Sequence, residues 1–148
     1  ITLLQGDLME ILRRGMMSRD YQRQRNNKYL LPNTVYNKTL WTIRDYYRVK
    51  ETLNSLADTS AGIAYDKDKV QTSSNPDTVF NAAVRYGDAK HIVNIIDHAR
   101  ANMPKEYQQG VWNNILFHSR FPLDADRSTY GRVKSRFIYD VAEGMGFV

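Results

Sequence analysis

A run of cationic and hydroxyl side chains lies between residues 126 and 146, in the segment DRSTYGRVKSRFIYDVAEGMG. No acid stands between Asp126 and Asp140. The polar residues that suit contact with a nucleic acid are Arg127, Ser128, Thr129, Arg132, Lys134, Ser135, Arg136 and Tyr139. Arginine can bond a guanine edge with two hydrogen bonds, serine and threonine can bond bases or phosphates, and tyrosine can reach a phosphate. These residue types predict a DNA-contacting surface.

On a helix, the same segment separates into two sides. At about 100° per residue, one side is apolar and consists of Tyr130, Val133, Phe137 and Val141. The serines, Arg132 and Tyr139 fall on the opposite side, flanked by Thr129 and Arg136. Two interpretations stay open: a helix that reads a DNA groove, or a core helix with a solvated basic face.

A second basic cluster occupies residues 13–28, which contain six arginines and lysines and a single acid. Arg23, Arg25 and Lys28 are interleaved there with tyrosines and asparagines. Such a segment can be an arm that neutralises phosphates or enters a minor groove, as in other helix-turn-helix proteins. It can equally be a solvated terminus in which residues 29–31 pack onto the rest of the protein.

The overall composition also favours a polyanionic partner. The chain has 21 lysines and arginines against 16 acids, for a formal net charge of +5. A positive surface attracts nucleic acid, and we expect double-stranded DNA as the partner. The absence of cysteine excludes disulfides and thiolate metal sites, and fits a reducing cytoplasm. No run of about 18 apolar residues predicts a membrane span.

The sequence shows no pattern typical of catalysis. His91 and His98 are seven residues apart without a nearby pair of carboxylates, which is a poor metal site. Phosphate-loop, nucleophile-elbow and zinc-protease motifs are all missing. We therefore expect no enzyme activity, no cofactor and no metal site.

The apolar periodicity predicts an all-α protein. Two long helices are predicted over residues 35–56 and 77–102, with a polar loop over residues 58–77 between them. Together they would form a long antiparallel hairpin. We expect Asn33 or Thr34 to cap the first helix and Gly87 to mark a kink in the second. The apolar stripe of the second helix comprises Phe80, Val84, Ala89, Ile92, Val93, Ile96, Ala99 and Met103.

A third helix is predicted after Pro104, and a short connector over residues 119–127 leads into the basic C-terminal helix. Glycines at the end of that helix, Gly144 and Gly146, suit a C-cap. Both tryptophans, Trp41 and Trp112, lie within apolar patterns, so we expect them in the core.

Three phrases of the sequence resemble phage and prophage transcriptional regulators of the ArpU/RinA type: NNKYLLPNTVYNKTLWTIRDYYRVKE, MPKEYQQGVWNNIL and STYGRVKSRFIYDVAEGMGF. The resemblance covers roughly residues 17–57 and 103–148. It implies a small activator of phage late, packaging or lysis genes, with a C-terminal helix-turn-helix similar to region 4 of bacterial sigma factors. By position, MPKEYQQGVWNNILF corresponds to the lead helix and STYGRVKSRFIYDVA to the recognition helix.

The sequence departs from that pattern in two places. Sigma-like domains place a full helix between the lead and recognition helices, whereas HSRFPLDAD leaves room for one helical turn at most. Gly131 also stands where a larger, often basic residue is expected.

The elements and the resemblance divide the chain into three regions: a basic N-terminal lead (1–32), a helical hairpin (33–103) and a small helix-turn-helix-like region (104–148). The pentapeptide RRGMM at residues 13–17 is compatible with a purine-rich ribosome-binding sequence followed by start codons. We hypothesise that residues 1–15 are not native and that translation starts at Met16 or Met17. The alternative is a genuine short amphipathic helix.

The leading functional hypothesis is a sequence-specific DNA-binding transcriptional regulator. The C-terminal helix would read the major groove, the basic lead would hold phosphates, and the hairpin would form a homodimer or higher oligomer or contact RNA polymerase. The second hypothesis is a helical adaptor or oligomeric scaffold of phage origin that acts through protein contacts. A packaging accessory or an inhibitor of host nucleic-acid machinery would be examples.

Overall fold

The computed structural model describes residues 21–61 and 76–148. Within these ranges every regular element is an α-helix: α1 (Asn33–Arg44), α2 (Tyr46–Ala61), α3 (Pro76–Asn102), α4 (Lys105–Phe117) and α5 (Arg127–Gly144). The predicted all-α class is confirmed. None of these helices is long and apolar enough to cross a membrane. The hypothesis about residues 1–15 lies outside the described residues.

Helix α5 is the element around which the other helices pack. It contacts α1, α3 and α4. Tyr130, Phe137 and Val141 on its predicted apolar side have no exposed surface, and Ile138 and Ala142 are buried beside them. Because three helices cover α5, the buried strip is wider than the predicted apolar side. The other large side chains buried to this degree are Leu40, Ile43, Ile96, Val111, Trp112 and Ile115.

Helices α2 and α3 pack against each other over a long contact. The hydroxyl of Tyr46, the first residue of α2, donates to Asp97 Oδ1 near the end of α3 at 2.7 Å. The start of α2 therefore lies beside the end of α3, which is the arrangement expected of an antiparallel pair. Helix α2 continues to Ala61, so residues 58–61 are helical rather than part of the predicted loop. The rest of that loop, up to residue 75, is not among the described residues.

The first half of α3 is largely exposed. Residues 78–88 are all exposed, and burial begins at Ala89. The predicted apolar stripe is therefore right for the second half of the helix and wrong for Phe80 and Val84, which are 68% and 45% exposed. The core against α5 does not reach this end of α3. Helix α3 is continuous through Gly87, where an added Cβ would meet no atom within 4 Å.

The single helix predicted over residues 35–56 is interrupted at Asp45. This residue has φ −83° and ψ 0°, outside the helical range of ψ. Its carboxylate accepts hydrogen bonds from Arg48 Nε, at 2.6 Å, and from Nη2. The prediction missed the break because one aspartate between apolar positions is an ordinary feature of an amphipathic helix and carries no stop signal. The pKa of Asp45 is lowered by the hydrogen bond from Arg48.

The predicted cap of α1 is also wrong. Asn33 and Thr34 both lie inside the helix, and Pro32 precedes it without a side-chain cap hydrogen bond. The carbonyl of Pro32 accepts from the backbone N–H of Tyr36 at 2.9 Å, which starts the helical ladder. Proline suits this entry because its φ, here −54°, is already close to a helical value.

The two tryptophans differ in their environment. Trp112 is 1% exposed, and its Nε1 donates to Tyr47 Oη at 3.1 Å. Trp41 is 68% exposed, so its predicted place in the core is wrong. Residue 41 lies about 100° around α1 from Leu40, on a side that no helix covers. The guanidinium of Arg44 lies 5.4 Å from its ring centroid.

The connector over residues 118–126 contains no helical turn. His118 ends α4 in the left-handed conformation, with φ 54°. Phe121 then stacks on Tyr130, with ring centroids 5.1 Å apart and an interplanar angle of 13°. Pro122 packs onto Gly110 of α4. The lead and last helices of the C-terminal region are therefore joined without the intervening helix of sigma-like domains.

Helix α5 ends in a Schellman motif, as its glycines predicted. The backbone N–H of Gly146 bonds Glu143 O at 3.0 Å, and that of Phe147 bonds Ala142 O at 2.9 Å. Gly146 has φ +75°, a conformation that glycine adopts at no steric cost. Gly144 has a different role, because a Cβ there would lie 2.7 Å from Ile95 Cγ2. It allows close packing against α3.

We expect Gly110→Ala to lower stability. Its Cβ would lie 2.7 Å from Tyr130 Cε1 and 2.8 Å from Pro122 Cδ, and both rings are held in the packing of the connector. Overpacking of this kind costs about 1–3 kcal/mol, more than the roughly 1 kcal/mol that alanine gains in a helix. Denaturant unfolding measures the change.

The matched control is Gly87→Ala in exposed α3, where no atom lies within 4 Å of the new Cβ. This variant should gain up to about 1 kcal/mol from helix propensity. Equal stabilisation by both substitutions would contradict the close packing at Gly110.

Candidate nucleic-acid interface

The segment that precedes α1 is a closed loop, residues 22–31, which we call the N-terminal loop. Gln22 is buried, and its amide pairs with both backbone groups of Leu31. The Nε2 of Gln22 donates to Leu31 O, and Leu31 N–H donates to Gln22 Oε1, each at 2.7 Å. One side-chain amide thus joins the two ends of the loop through a pair of hydrogen bonds, as a neighbouring β-strand would pair with the backbone of Leu31. Compact surface loops with adjacent ends of this kind are often functional.

The interior of the loop is also hydrogen-bonded. Asn27 Nδ2 donates to Arg23 O at 2.8 Å, and its Oδ1 accepts from the backbone N–H of Tyr29 at 2.9 Å. Asn26 turns the chain in the left-handed conformation, with φ 52°, which asparagine tolerates better than most residues. The loop therefore has a defined shape, rather than that of a frayed terminus.

The N-terminal loop lies directly on α5. Arg23 Nη1 donates to Ser128 O at 3.2 Å and lies 3.9 Å from where a Cβ on Gly131 would stand. Farther along the helix, the rings of Tyr29 and Tyr139 are tilted against each other, with centroids 5.4 Å apart. The described part of the N-terminal basic cluster, with Arg23, Arg25 and Lys28, therefore lies on the face that carries the basic cluster of α5.

The loop covers part of the face that was predicted to read DNA. Ser128, Ser135 and Tyr139 are each half-buried. The hydroxyl of Ser128 donates to Asp126 Oδ2 at 2.8 Å, and that of Ser135 donates to Gly131 O at 2.9 Å. These groups already have partners within the protein. The middle of α5 is thus less accessible than the sequence pattern indicated.

The cations of this face remain more accessible. Arg127, Arg132 and Arg136 on α5, together with Arg25 and Lys28 on the loop, are exposed. Among the other predicted site residues, Thr129, Lys134 and Arg23 are half-buried. Lys134 Nζ donates to Asn114 Oδ1 of α4 at 2.8 Å, so it helps to hold α4 and α5 together.

Two clefts flank Arg23 on this face. The first, the loop cleft, has a volume of about 530 Å³ and is lined by Arg23, Lys28, Arg132, Arg136 and Asp140, among others. The second, the connector cleft, has a volume of about 930 Å³ and is lined by residues that include Arg23, Arg120, Arg127, Lys134, Tyr21 and Phe121. Both clefts combine cations with an aromatic or apolar wall, a composition suited to nucleic acid.

Two acids adjust the charge of this surface. Burial raises the pKa of Asp140, although Arg136, with its Nε 3.9 Å from Asp140 Oδ2, opposes that shift. The pKa of Asp126 is lowered by the hydrogen bond that Ser128 donates to its carboxylate. Asp126 is therefore ionised at neutral pH, and its negative charge offsets part of the positive charge of the neighbouring arginines.

Several residues of this interface were not found from the sequence. Gln22 carries no local signal, because its role depends on Leu31 nine residues later. Arg120 was not singled out either, although it belongs to the connector and lines the cleft beside it. The asparagine pair at residues 26–27 was the one available signal, since asparagines favour tight turns.

Across residues 21–61 and 76–148, the structure holds no group of histidines and acids that could bind a metal ion. His91 and His98 on α3 are both exposed.

Comparisons of this chain with models of protein families, with curated proteins and with solved structures find no match.

We expect Gln22→Ala to open the N-terminal loop. It would leave the backbone N–H and C=O of buried Leu31 without partners, at about 1–3 kcal/mol for each group. Hydrogen exchange should show faster exchange of the Leu31 amide in this variant. The matched control is Gln24→Ala, because Gln24 is exposed and makes one long hydrogen bond, 3.4 Å, to Gln22 O. Equal protection of Leu31 in both variants would contradict the clamp.

We also expect Asp140→Asn to strengthen binding of a polyanion such as heparin by about two- to fivefold at low salt, since one exposed charge pair is worth about 1 kcal/mol or less. Asp140 is the one acid among the described residues that line the loop cleft. Below its raised pKa the carboxyl is neutral, so lowering the pH should tighten binding by the wild type in the same way.

The Asp140→Asn variant should lack the part of the pH dependence that comes from protonation of this carboxyl. Asp88→Asn, on exposed α3, removes the same charge far from this face in sequence and serves as the control. An identical response of the two variants would show that Asp140 acts through net charge alone.

Proposed function

We propose that this chain is a DNA-binding transcriptional regulator, an activator of phage late, packaging or lysis genes, as its resemblance to ArpU/RinA-type regulators implies. The observation that supports this best is the contact of Arg23 with Ser128, 105 positions apart in sequence. It joins the cations of the N-terminal loop to the basic cluster of α5, which is remote in sequence. A protein gains little from gathering cations unless an anionic partner neutralises them, because like charges repel.

In this proposal the exposed arginines and lysines contact phosphates first. Arg25 and Lys28 of the N-terminal loop and Arg127 of α5 would hold the backbone, which releases counterions and gives binding a steep salt dependence. Arg132 and Arg136, one turn apart on the exposed strip of α5, would reach base edges. The N-terminal loop acts as a fixed arm beside them.

Because the N-terminal loop covers part of α5, the helix would contact DNA differently from an isolated recognition helix. Tyr29 and Arg23 lie over the same side of α5 that carries Ser135 and Tyr139. A DNA groove would therefore accommodate the N-terminal loop and α5 together, with Arg132 and Arg136 where the two meet. This differs from a helix-turn-helix in which one helix enters the major groove along its whole length.

A second function, a helical adaptor or scaffold, is favoured by the exposed end of α3. Val79 and Phe80 are 63% and 68% exposed there, and Val84 is 45% exposed. Apolar side chains gathered on one exposed helix suit a protein partner. In the regulator this end would form a homodimer or contact RNA polymerase, whereas in an adaptor it would be the main site of action.

The DNA proposal is tested by gel shift on duplex DNA from upstream of the gene, titrated with salt. Arg132→Ala and Arg136→Ala should each weaken specific binding by about 1–3 kcal/mol if they touch bases. The matched control is Arg85→Ala, which removes one exposed positive charge from α3 and leaves this face intact. Each variant has the same net charge, so a difference between them reports position.

Unchanged affinity for DNA in both α5 variants would show that α5 does not recognise the DNA sequence. Sequence-independent binding that disappears at moderate salt would favour the adaptor instead. Light scattering of the wild type and of Phe80→Asp then tests the exposed end of α3: a lower mass in the variant would place self-association there.

A further inference from the structure

The loop cleft is a concave site of the size that suits a small molecule. It lies where three segments meet: the N-terminal loop, the junction of α3 and α4 at residues 102–104, and α5 between residues 132 and 140. Its volume of about 530 Å³ falls within the range of about 300–1,000 Å³ that small-molecule sites occupy. A DNA duplex is far larger than this volume and would contact only the rim, so the interior suits a smaller ligand.

The rim of the loop cleft is positively charged. Arg23, Lys28, Arg132 and Arg136 line the cleft, and the last three of these side chains are exposed. Asp140 is the one acid among the described residues that line it, so four cations stand against one carboxyl. A cleft with this balance of charge attracts a ligand that carries phosphate, because an arginine can bond a phosphate through two N–H groups at once.

The inner surface of the cleft is apolar. Met103 and Phe137 line it although both are buried, so they form the surface that a ligand would meet behind the rim. Tyr29 adds an aromatic wall, and it is held in place by the contact of its ring with Tyr139 and by the hydrogen bond from its backbone N–H to Asn27. An inorganic phosphate makes no use of such a surface, whereas a nucleobase stacks or packs on it.

The polar groups inside the cleft favour a ligand with hydrogen-bond donors as well as phosphates. The carboxyl of Asp140 would repel a ligand that consists of phosphate alone, but it can accept a hydrogen bond from a hydroxyl or an amino group. Asn26 and Asn102 add amides that both donate and accept. Ribose hydroxyls and the amino groups of nucleobases are donors of this type.

We propose that the loop cleft binds a nucleoside phosphate. The phosphates bond Lys28, Arg132 and Arg136 at the rim, the base packs on the apolar inner surface, and Asp140 accepts a hydrogen bond from a ribose hydroxyl or a base amino group. Binding of the nucleotide does not depend on the proposed function. Its consequence does rest on the proposed function: a bound nucleotide occupies Arg132 and Arg136 and would therefore release DNA from this face.

The first test is calorimetric titration of the full chain with the four common ribonucleoside diphosphates, and with pyrophosphate and the free nucleosides as their two halves. At least one diphosphate should bind more tightly than pyrophosphate by about tenfold or more, because its base contacts the apolar surface. Arg132→Ala and Arg136→Ala should each weaken that binding by about tenfold, since each removes a hydrogen bond to a charged group. Arg85→Ala, which removes the same charge from exposed α3, is the matched control and should bind as wild type does.

The second test uses Asp140→Ala, which should change the two affinities in opposite directions. Loss of the negative charge should tighten the binding of pyrophosphate by about two- to fivefold. Loss of the hydrogen-bond acceptor should weaken the binding of the diphosphate by about fivefold or more, because a hydrogen bond to a charged group outweighs the repulsion of one exposed charge. Asp88→Ala on exposed α3 is the matched control and should leave both affinities unchanged. Tighter binding of both ligands by Asp140→Ala would overturn the role of this carboxyl as an acceptor.

The outcomes separate the nucleotide site from the proposed function. If none of the four diphosphates binds, or if pyrophosphate binds as tightly as they do, the nucleotide site is refuted whatever the result with DNA. If a diphosphate binds but wild type shifts no duplex even at low salt, the proposed function fails while the nucleotide site stands. When both bind, a saturating diphosphate should weaken the gel shift, and a shift that the nucleotide leaves unchanged would overturn the competition between the two ligands.

Discussion

The burial of α5 is the constraint on which the rest of this structure depends. Tyr130, Phe137 and Val141 have no exposed surface, and three helices pack around them. A helix in this position cannot present a whole side to a ligand, as an isolated recognition helix does. What it can present is the strip left between its neighbours. The function of the face is therefore decided by which side chains border that strip.

The N-terminal loop borders it on one side. Its shape is set by amide hydrogen bonds from Gln22 and Asn27, and its position by Arg23 and Tyr29 on α5. The connector borders the strip on the other side, anchored by the stack of Phe121 on Tyr130. Both borders are held by polar or aromatic contacts to the central helix. A surface of this kind combines the N-terminal loop with the connector and α5, which lie far from it in sequence.

The sequence predicted those parts of the structure that depend on local periodicity. The all-α class, the buried side of α5 and the glycine end at Gly146 follow from spacing and from backbone preference, and all are present. The break at Asp45 was not predicted, because an aspartate within an apolar stripe reads as an ordinary exposed position. Trp41, Phe80 and Val84 were assigned to the core by their place in apolar patterns, although their burial depends on where neighbouring helices end.

The candidate site was predictable in its residue types and much less so in its construction. Basic clusters are visible along the chain, but their convergence depends on contacts such as Arg23 with Ser128, between residues far apart in sequence. No local rule links Gln22 to Leu31, or Gly110 to Pro122. The polar side of α5 also seemed free because a helical projection shows one helix and omits the segments that pack across it.

The clamp at Gln22 has a consequence for the way such a surface responds to its surroundings. Its two hydrogen bonds join a neutral amide to a neutral peptide group in a buried position, so neither ionic strength nor protonation alters them directly. The arginines that the loop carries attract anions more weakly as the ionic strength rises. If the face binds a polyanion as proposed, salt would therefore release that partner while the shape of the loop is retained. The surface would then be ready to bind again as soon as the ions are diluted.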